Sequence, residues 1–202
     1  MYDQIRWCVP FIRSANMISS IKKEVFTKAS SVFGGVPSVN EYWDDRHKSR
    51  IDVLCCPDVP QVGVNSYSTI GLSEVPNSSD LSRAEICGAS NKFGVSFANV
   101  ISTAAFSILN DGLQFKIGSA LKNCVGIFDS TITVPNLLFV DPFVWDSSLI
   151  LTHRGIKVKW LLAVPISNQE LHFFENRGLS EMEDLFEREG IDIFDLYRPS
   201  VV

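Results

Sequence analysis

The sequence has little of what would place it in a special class. No apolar run reaches the ~20 residues that span a bilayer. The longest nearly apolar stretches, residues 160–166 and 100–109, are at most half that length, which argues against an integral membrane protein. Cysteines number five, Cys8, Cys55, Cys56, Cys87 and Cys124, an odd set without a C-x-x-C pair or a histidine at zinc spacing, so reduced thiols are the economical reading. Alternation in a strand sends Cys55 and Cys56 to opposite faces, with one toward the core. Basic charge is also short: 18 Lys and Arg against 23 Asp and Glu leave a net charge of −5 and a pI near 5.2. A binder of nucleic acid through a basic stripe is therefore disfavoured. The phosphate-cradling patterns G-x-x-x-x-G-K-[ST] and G-x-G-x-x-G are absent, and no cofactor or metal site is implied.

What is present fits one globular domain: 202 residues, 46% of them hydrophobic. A chain of this length buries about 70% of its unfolded surface and needs no staple. At the N-terminus, the apolar hexad 7–12 lies between Arg6 and Arg13. Asp3, Pro10 and the lack of a small-residue cleavage site argue against a secretory signal. Residues 1–17 read as a loose leader of a cytoplasmic protein, and residues 18–202 as the domain.

Ile18, Ile21, Val25, Ala29 and Val32 recur at three- and four-residue steps, predicting an amphipathic helix that stops at Gly34-Gly35 and Pro37. Strands follow around Val39 to Trp43, around Ile51 to Cys55, over 62–72 and over 84–89, with a turn at 57–60 and a loop at 76–82. Residues 92–111 carry a stripe of Phe93, Phe97, Val100, Ile101, Ala104 and Ile108, a long helix buried against a sheet. Residues 125–128 and 137–140 are shorter strand candidates. Residues 158–166, apolar without alternation, suit a central strand covered on both faces. Ser167 with Glu170, and Ser180 with Glu183, have the spacing that caps a helix start. Two short helices therefore precede a tail at 191–202 that trails extended. The whole predicts an α+β domain: a mixed, mainly antiparallel sheet packed by a long buried helix, with two short C-terminal helices.

The parts of a catalytic site are missing. His47, His153 and His172 all fall in turns or on an acidic helix and read as surface residues. The string Gly94-Val95-Ser96-Phe97-Ala98 imitates a nucleophile elbow, but Ser96 falls in the first turns of the predicted helix and Ala98 replaces the second glycine. Asp141 and Asp146 read as turn and cap residues. No catalytic residue is assigned.

Charge is concentrated instead. Residues 168–195 hold nine acids (Glu170, Glu175, Glu181, Glu183, Asp184, Glu187, Glu189, Asp192 and Asp195) against Arg177 and Arg188, a net −7, so the remainder sums to +2. Such a run is either a solvated helix face or a patch that steers a basic partner.

A set of strings then stands out: Phe33-Gly34-Gly35 with Pro37, Asp52-Val53-Leu54-Cys55, Ser66-Tyr67-Ser68-Thr69-Ile70-Gly71-Leu72-Ser73, and Arg83-Ala84-Glu85-Ile86. Leu137-Leu138-Phe139-Val140-Asp141-Pro142-Phe143 and Trp160-Leu161-Leu162-Ala163-Val164-Pro165-Ile166-Ser167 follow, and Asp192-Ile193-Phe194-Asp195 precedes Arg198-Pro199. Together they resemble the suppressor-of-fused family, in particular its compact bacterial members. The resemblance implies a non-catalytic binding domain that acts as an immunity protein or antitoxin against a cognate toxin, often a nuclease. The alternative is an adaptor that adds an extended client segment to a sheet edge. Under the first reading the expected partner-binding residues are Glu170, Glu175, Glu181, Asp184, Glu187, Asp192 and Asp195, with the loops around Tyr67 and Trp145, themselves read first as a strand residue and a core aromatic, as the fallback.

Overall fold

The computed structural model describes residues 19–75, 82–91 and 96–202. In chain order they form α1 (Ser20–Phe33), β1 (Ser38–Trp43), β2 (Arg50–Cys56), β3 (Val64–Ile70), a single 3-10 turn (Leu72–Glu74) and β4 (Ser82–Asn91). There follow α2 (Phe97–Asp111), β5 (Ser119–Leu121), β6 (Asn136–Val140), β7 (Ile150–His153), β8 (Ile156–Ile166), α3 (Asn168–Arg177) and α4 (Leu179–Glu189). The strands make one sheet in the order β1-β2-β3-β4-β8-β6-β5, with β7 also on β8. Only β4 and β8 run parallel among the described pairs. The fold is thus the expected single α+β domain with a mainly antiparallel sheet.

The run at 160–166 lacks alternation because both of its faces are covered, whereas 156–159 alternates with Lys157 and Lys159 exposed. Val158, Trp160, Leu162, Val164 and Ile166 face α1, α3 and α4, where they meet Val25, Ala29, Phe33, Leu171, Met182 and Leu185. Leu161 and Ala163 face α2, among Phe97, Ile101, Ala104 and Ala105. Each such large side chain removed from water contributes roughly 1.5–3 kcal/mol before ordering costs. The length of β8 lets it serve two shorter neighbours on one side, with β7 on its first half and β6 on its second. Close approach of α2 depends on Gly88, where a Cβ would lie 2.5 Å from the Phe97 ring.

Buried polar atoms on the α1 face are matched rather than excluded. The indole N–H of Trp145 donates to Ser66 Oγ at 3.0 Å, and that of Trp160 to Ser68 Oγ at 2.8 Å. Such pairing is what makes a tryptophan admissible in a core. Cys56 is buried on this face and half-buried Cys55 packs toward α2. Burial pushes the Cys56 thiol up to about 11 and the Cys124 thiol to about 12, so both are inert rather than nucleophilic.

Several expectations need correction. Residues 125–128 form turns, with Val125 and Gly126 N–H bonded to the Pro135 carbonyl, and not a strand. The short strands β5 and β7 were not anticipated, since three and four residues are too few to reveal a period of two. His153 is buried rather than superficial: its Nδ1 lies 2.8 Å from Glu24 and its Nε2 3.2 Å from Ser20 Oγ, fastening α1 to β7. The leader, the loop at 76–81 and residues 92–95 lie outside the described residues.

Candidate partner-binding site

The acidic helices are built from local signals. Ser167 caps α3 in the predicted manner: Glu170 N–H donates to Ser167 Oγ at 3.0 Å and Ser167 N–H to Glu170 Oε2 at 2.8 Å. The same reading fails for α4. That helix starts at Gly178 with no side-chain cap, so Ser180 and Glu183 are not a capping pair.

The capping role takes Glu170 out of the patch to which its sequence position assigned it. Its carboxylate is fully buried and receives a two-pronged bond from Arg198, Nη1 to Oε1 at 2.6 Å and Nη2 to Oε2 at 2.8 Å. Val201 N–H adds a third donor direction at 3.1 Å, and the guanidinium stacks over Phe186 at 5.5 Å. The C-terminal residues therefore do not trail. Leu196 is buried in the α2-side core, and Thr133 hydrogen-bonds the carbonyls of Leu196 and Arg198.

The other carboxylates divide by what they touch. Glu175 pairs with Lys122 at 2.8 Å and Glu181 with Arg177 at 3.9 Å, both at the surface. Asp192 and Asp195 accept from the N–H groups of Phe194 and Tyr197, each at 2.9 Å, and so are occupied as turn caps. Glu183, Asp184 and Glu187 are exposed on α4 and have no cation partner among the described residues. Met182 and Leu185 hold the opposite side of the helix in the core. Glu183 is pushed up from the ordinary carboxylate value by partial burial, and further by the charges of Asp141 and Asp184. Asp141, at the end of β6, thus joins a three-carboxylate cluster that sequence distance concealed.

The fallback residues are not loop-surface groups. Tyr67 is buried on β3 against Phe97, with ring centroids 6.1 Å apart, and burial pushes its phenol up to about 12. Trp145 is buried against Phe33 at 4.4 Å. Both are core aromatics and cannot present their rings to a partner. Among the described residues no group of His, Cys, Asp and Glu could hold a metal. Ser96 sits at the N-cap of α2 without bonding to it.

Two features escaped the sequence reading. Glu85, fully buried on β4, accepts from five donors: Thr69 Oγ1 at 2.5 Å, Ser73 Oγ at 2.6 Å, and the N–H groups of Gly71, Leu72 and Ser73. Gly71 makes this nest possible, because its φ of +106° suits glycine and a side chain there would strike Lys22. A charged residue within an apolar strand was the available signal. The second feature is a cleft of about 740 Å³ between the β1–β2 turn and α2, lined by residues including Arg46, Lys48, Asn99, Thr103 and Phe106. Its wall is tied together by Asn110, which bonds both Ser49 and Asp44.

Comparison with known proteins adds the family. The pattern described as "Suppressor of fused protein (SUFU)" matches residues 47–199. The chain belongs to the suppressor-of-fused family. It is 38% identical over 190 residues to "Immunity protein YqcF" of Bacillus subtilis (strain 168), covering 92% of this chain and 99% of that protein.

Solved structures of the suppressor-of-fused family share the fold. A SUFU homologue from Neisseria gonorrhoeae superposes with a TM-score of 0.71 at 16% identity, covering 90% of this chain and 97% of that one. Drosophila Suppressor of Fused gives 0.62 at 12% identity and is covered over 50% of its length against 88% here. In this suppressor-of-fused chain the strings that carried the resemblance are largely structural. The 66–73 string is β3 with the turn that encloses Glu85, the 160–167 string is β8 with the cap of α3, and Arg198 is the buried partner of Glu170.

Proposed function

We propose that this chain is an immunity protein: a non-catalytic, cytoplasmic binding domain that neutralises a cognate toxin protein, a basic one of nuclease type, by occupying its phosphate-binding surface. The observation that carries the reading is the 38% identity, along nearly the whole of both chains, to a protein named as an immunity protein. The basic character of the partner is supported by Glu183, Asp184 and Glu187, which are exposed on α4 and have no cation partner among the described residues. A nuclease holds phosphates with Lys and Arg, so carboxylates suit the same site and speed the encounter. Glu175 and Glu181 flank this surface, while Glu170, Tyr67 and Trp145 support it from within the fold. No nucleic acid or membrane contact is part of this role.

The test is binding and neutralisation of the toxin domain encoded beside this gene. Recovery of one basic toxin at about nanomolar affinity, with growth protection on co-expression, is the expected result. Recovery of several unrelated flexible clients would replace the reading with the adaptor. That second reading is favoured by β1, an outer strand whose Ser38, Val39 and Asn40 are exposed. Toxin turnover catalysed by this chain would overturn both.

A further inference from the structure

On the α2 side the packed cluster ends at Ile86, Leu161 and half-buried Ala84, and none of the described residues covers the sheet beyond them. Lys157 and Lys159 of β8 pair in register with Thr152 and Ile150 of β7, and with Ser82 and Ala84 of β4, so these positions share one face. Both lysines are exposed, and neither has an ion-pair partner among the described residues. Ile150 beside them is 46% exposed. A groove of about 200 Å³ opens next to Ala84, between Leu72 and Val75 on one wall and Ile108, Leu113 and Phe115 on the other.

The opposite side of the molecule carries the complement. Asp141 at the end of β6 and Glu183 and Asp184 on α4 are all exposed, Glu183 lies within electrostatic reach of the other two, and none of the three has a cation partner among the described residues. Two residues after Asp141, Phe143 is 64% exposed, while Trp145 is buried and Val144 packs against the core. α4 covers the α1 face of the sheet and the lysines lie on the α2 face, so the two surfaces of one chain cannot meet each other.

We propose that the lysine face docks a second copy of this chain head to tail, with the second copy's Asp141, Glu183 and Asp184 against Lys157 and Lys159 and its Phe143 ring in the groove beside Ala84. Charge and shape agree. An apolar cavity of about 150 Å³ accommodates a benzene ring, so the groove admits one phenyl group, and the carboxylates gain the cations they lack. The contact is heterologous, so it builds short arrays rather than a closed dimer. Self-association does not require the toxin, but it uses the acidic surface assigned to the toxin above, so on that reading toxin and second copy compete for it.

Sedimentation velocity of the full chain, across a hundredfold range of concentration at low and high ionic strength, tests this. The expected result is association at low salt that dissolves as salt screens the pairs. Lys157→Glu/Lys159→Glu and Glu183→Lys/Asp184→Lys should each weaken self-association at least about tenfold, with circular dichroism unchanged. Mixing the two variants should restore association, because the acidic surface of the first then meets the lysines of the second and the reversed charges complement each other at the other end. A chain that stays monomeric throughout, association that survives either double substitution, or a mixture that stays monomeric would each overturn the proposal.

Discussion

Glu170 and Glu183 stand on neighbouring short helices, and their surroundings could hardly differ more. Glu170 is sealed from water, with both oxygens on Arg198 and backbone N–H groups at its flanks. Glu183 faces solvent in the company of Asp141 and Asp184 and has no cation. A carboxylate neutralised inside the fold ties distant segments together and offers nothing to another molecule. One left uncompensated at the surface adds little to stability and keeps its attraction for a partner. Glu85 is a third case, buried without a cation and held by five neutral donors.

The contrast can be broken first at its interior end. Arg198→Ala leaves the buried Glu170 charge uncompensated and frees the C-terminal residues, and should cost about 3–5 kcal/mol in chemical denaturation. A loss below about 1 kcal/mol would mean that the pair is not what holds the tail. Glu85→Gln places an amide among donors and should cost about 1–3 kcal/mol, with a pH signature. Burial holds the folded carboxyl above its ordinary value of 4.5 against the pull of its donors. The folded state therefore keeps this proton to higher pH than the unfolded chain, and stability falls as pH rises from the ordinary value through the folded one. The substitution should remove that slope, and a parallel pH profile in both proteins would exclude Glu85 as its source. At the surface, Glu175→Ala loses only the exposed pair with Lys122 and should change stability by less than about 1 kcal/mol.

The smallest stability effect is expected where the functional effect is largest. Glu181→Lys/Asp184→Lys/Glu187→Lys should leave unfolding within about 0.5 kcal/mol of wild type. It should slow association with a basic toxin domain by roughly tenfold or more at low salt, and make the rate less salt-dependent. Stopped-flow mixing at two ionic strengths measures both. An unchanged rate in the folded variant would remove α4 from the interface and point to the cleft bounded by Arg46 and Phe106.

The elements legible in sequence are those whose signal is periodic and long. Residues 18–33 and 92–111 showed helical stripes, found as helices at Ser20–Phe33 and Phe97–Asp111, and 158–166 read as doubly covered because no polar position interrupts residues 160–166. β5 and β7 were illegible at three and four residues, and the C-terminal segment looked extended because its contacts are all remote. Site residues followed the same divide. Exposure of Glu181, Asp184 and Glu187 followed from their spacing against Leu185 and Phe186, although the most deeply buried residue of that helix is Met182, and Tyr67 and Trp145, legible as a strand residue and a core aromatic, are buried.

The sequence by itself determined the longer helices and strands, the net charge and its concentration near the C-terminus, because these depend on residues within a few positions of one another. Only the tertiary structure decided which carboxylates remain available. The choice rests on partners far along the chain: Arg198 for Glu170, Ser73 and Thr69 for Glu85, and Asp141 beside Glu183. Whether a charge is neutralised is a property of the dielectric and the neighbours that folding assembles, and no local pattern encodes it.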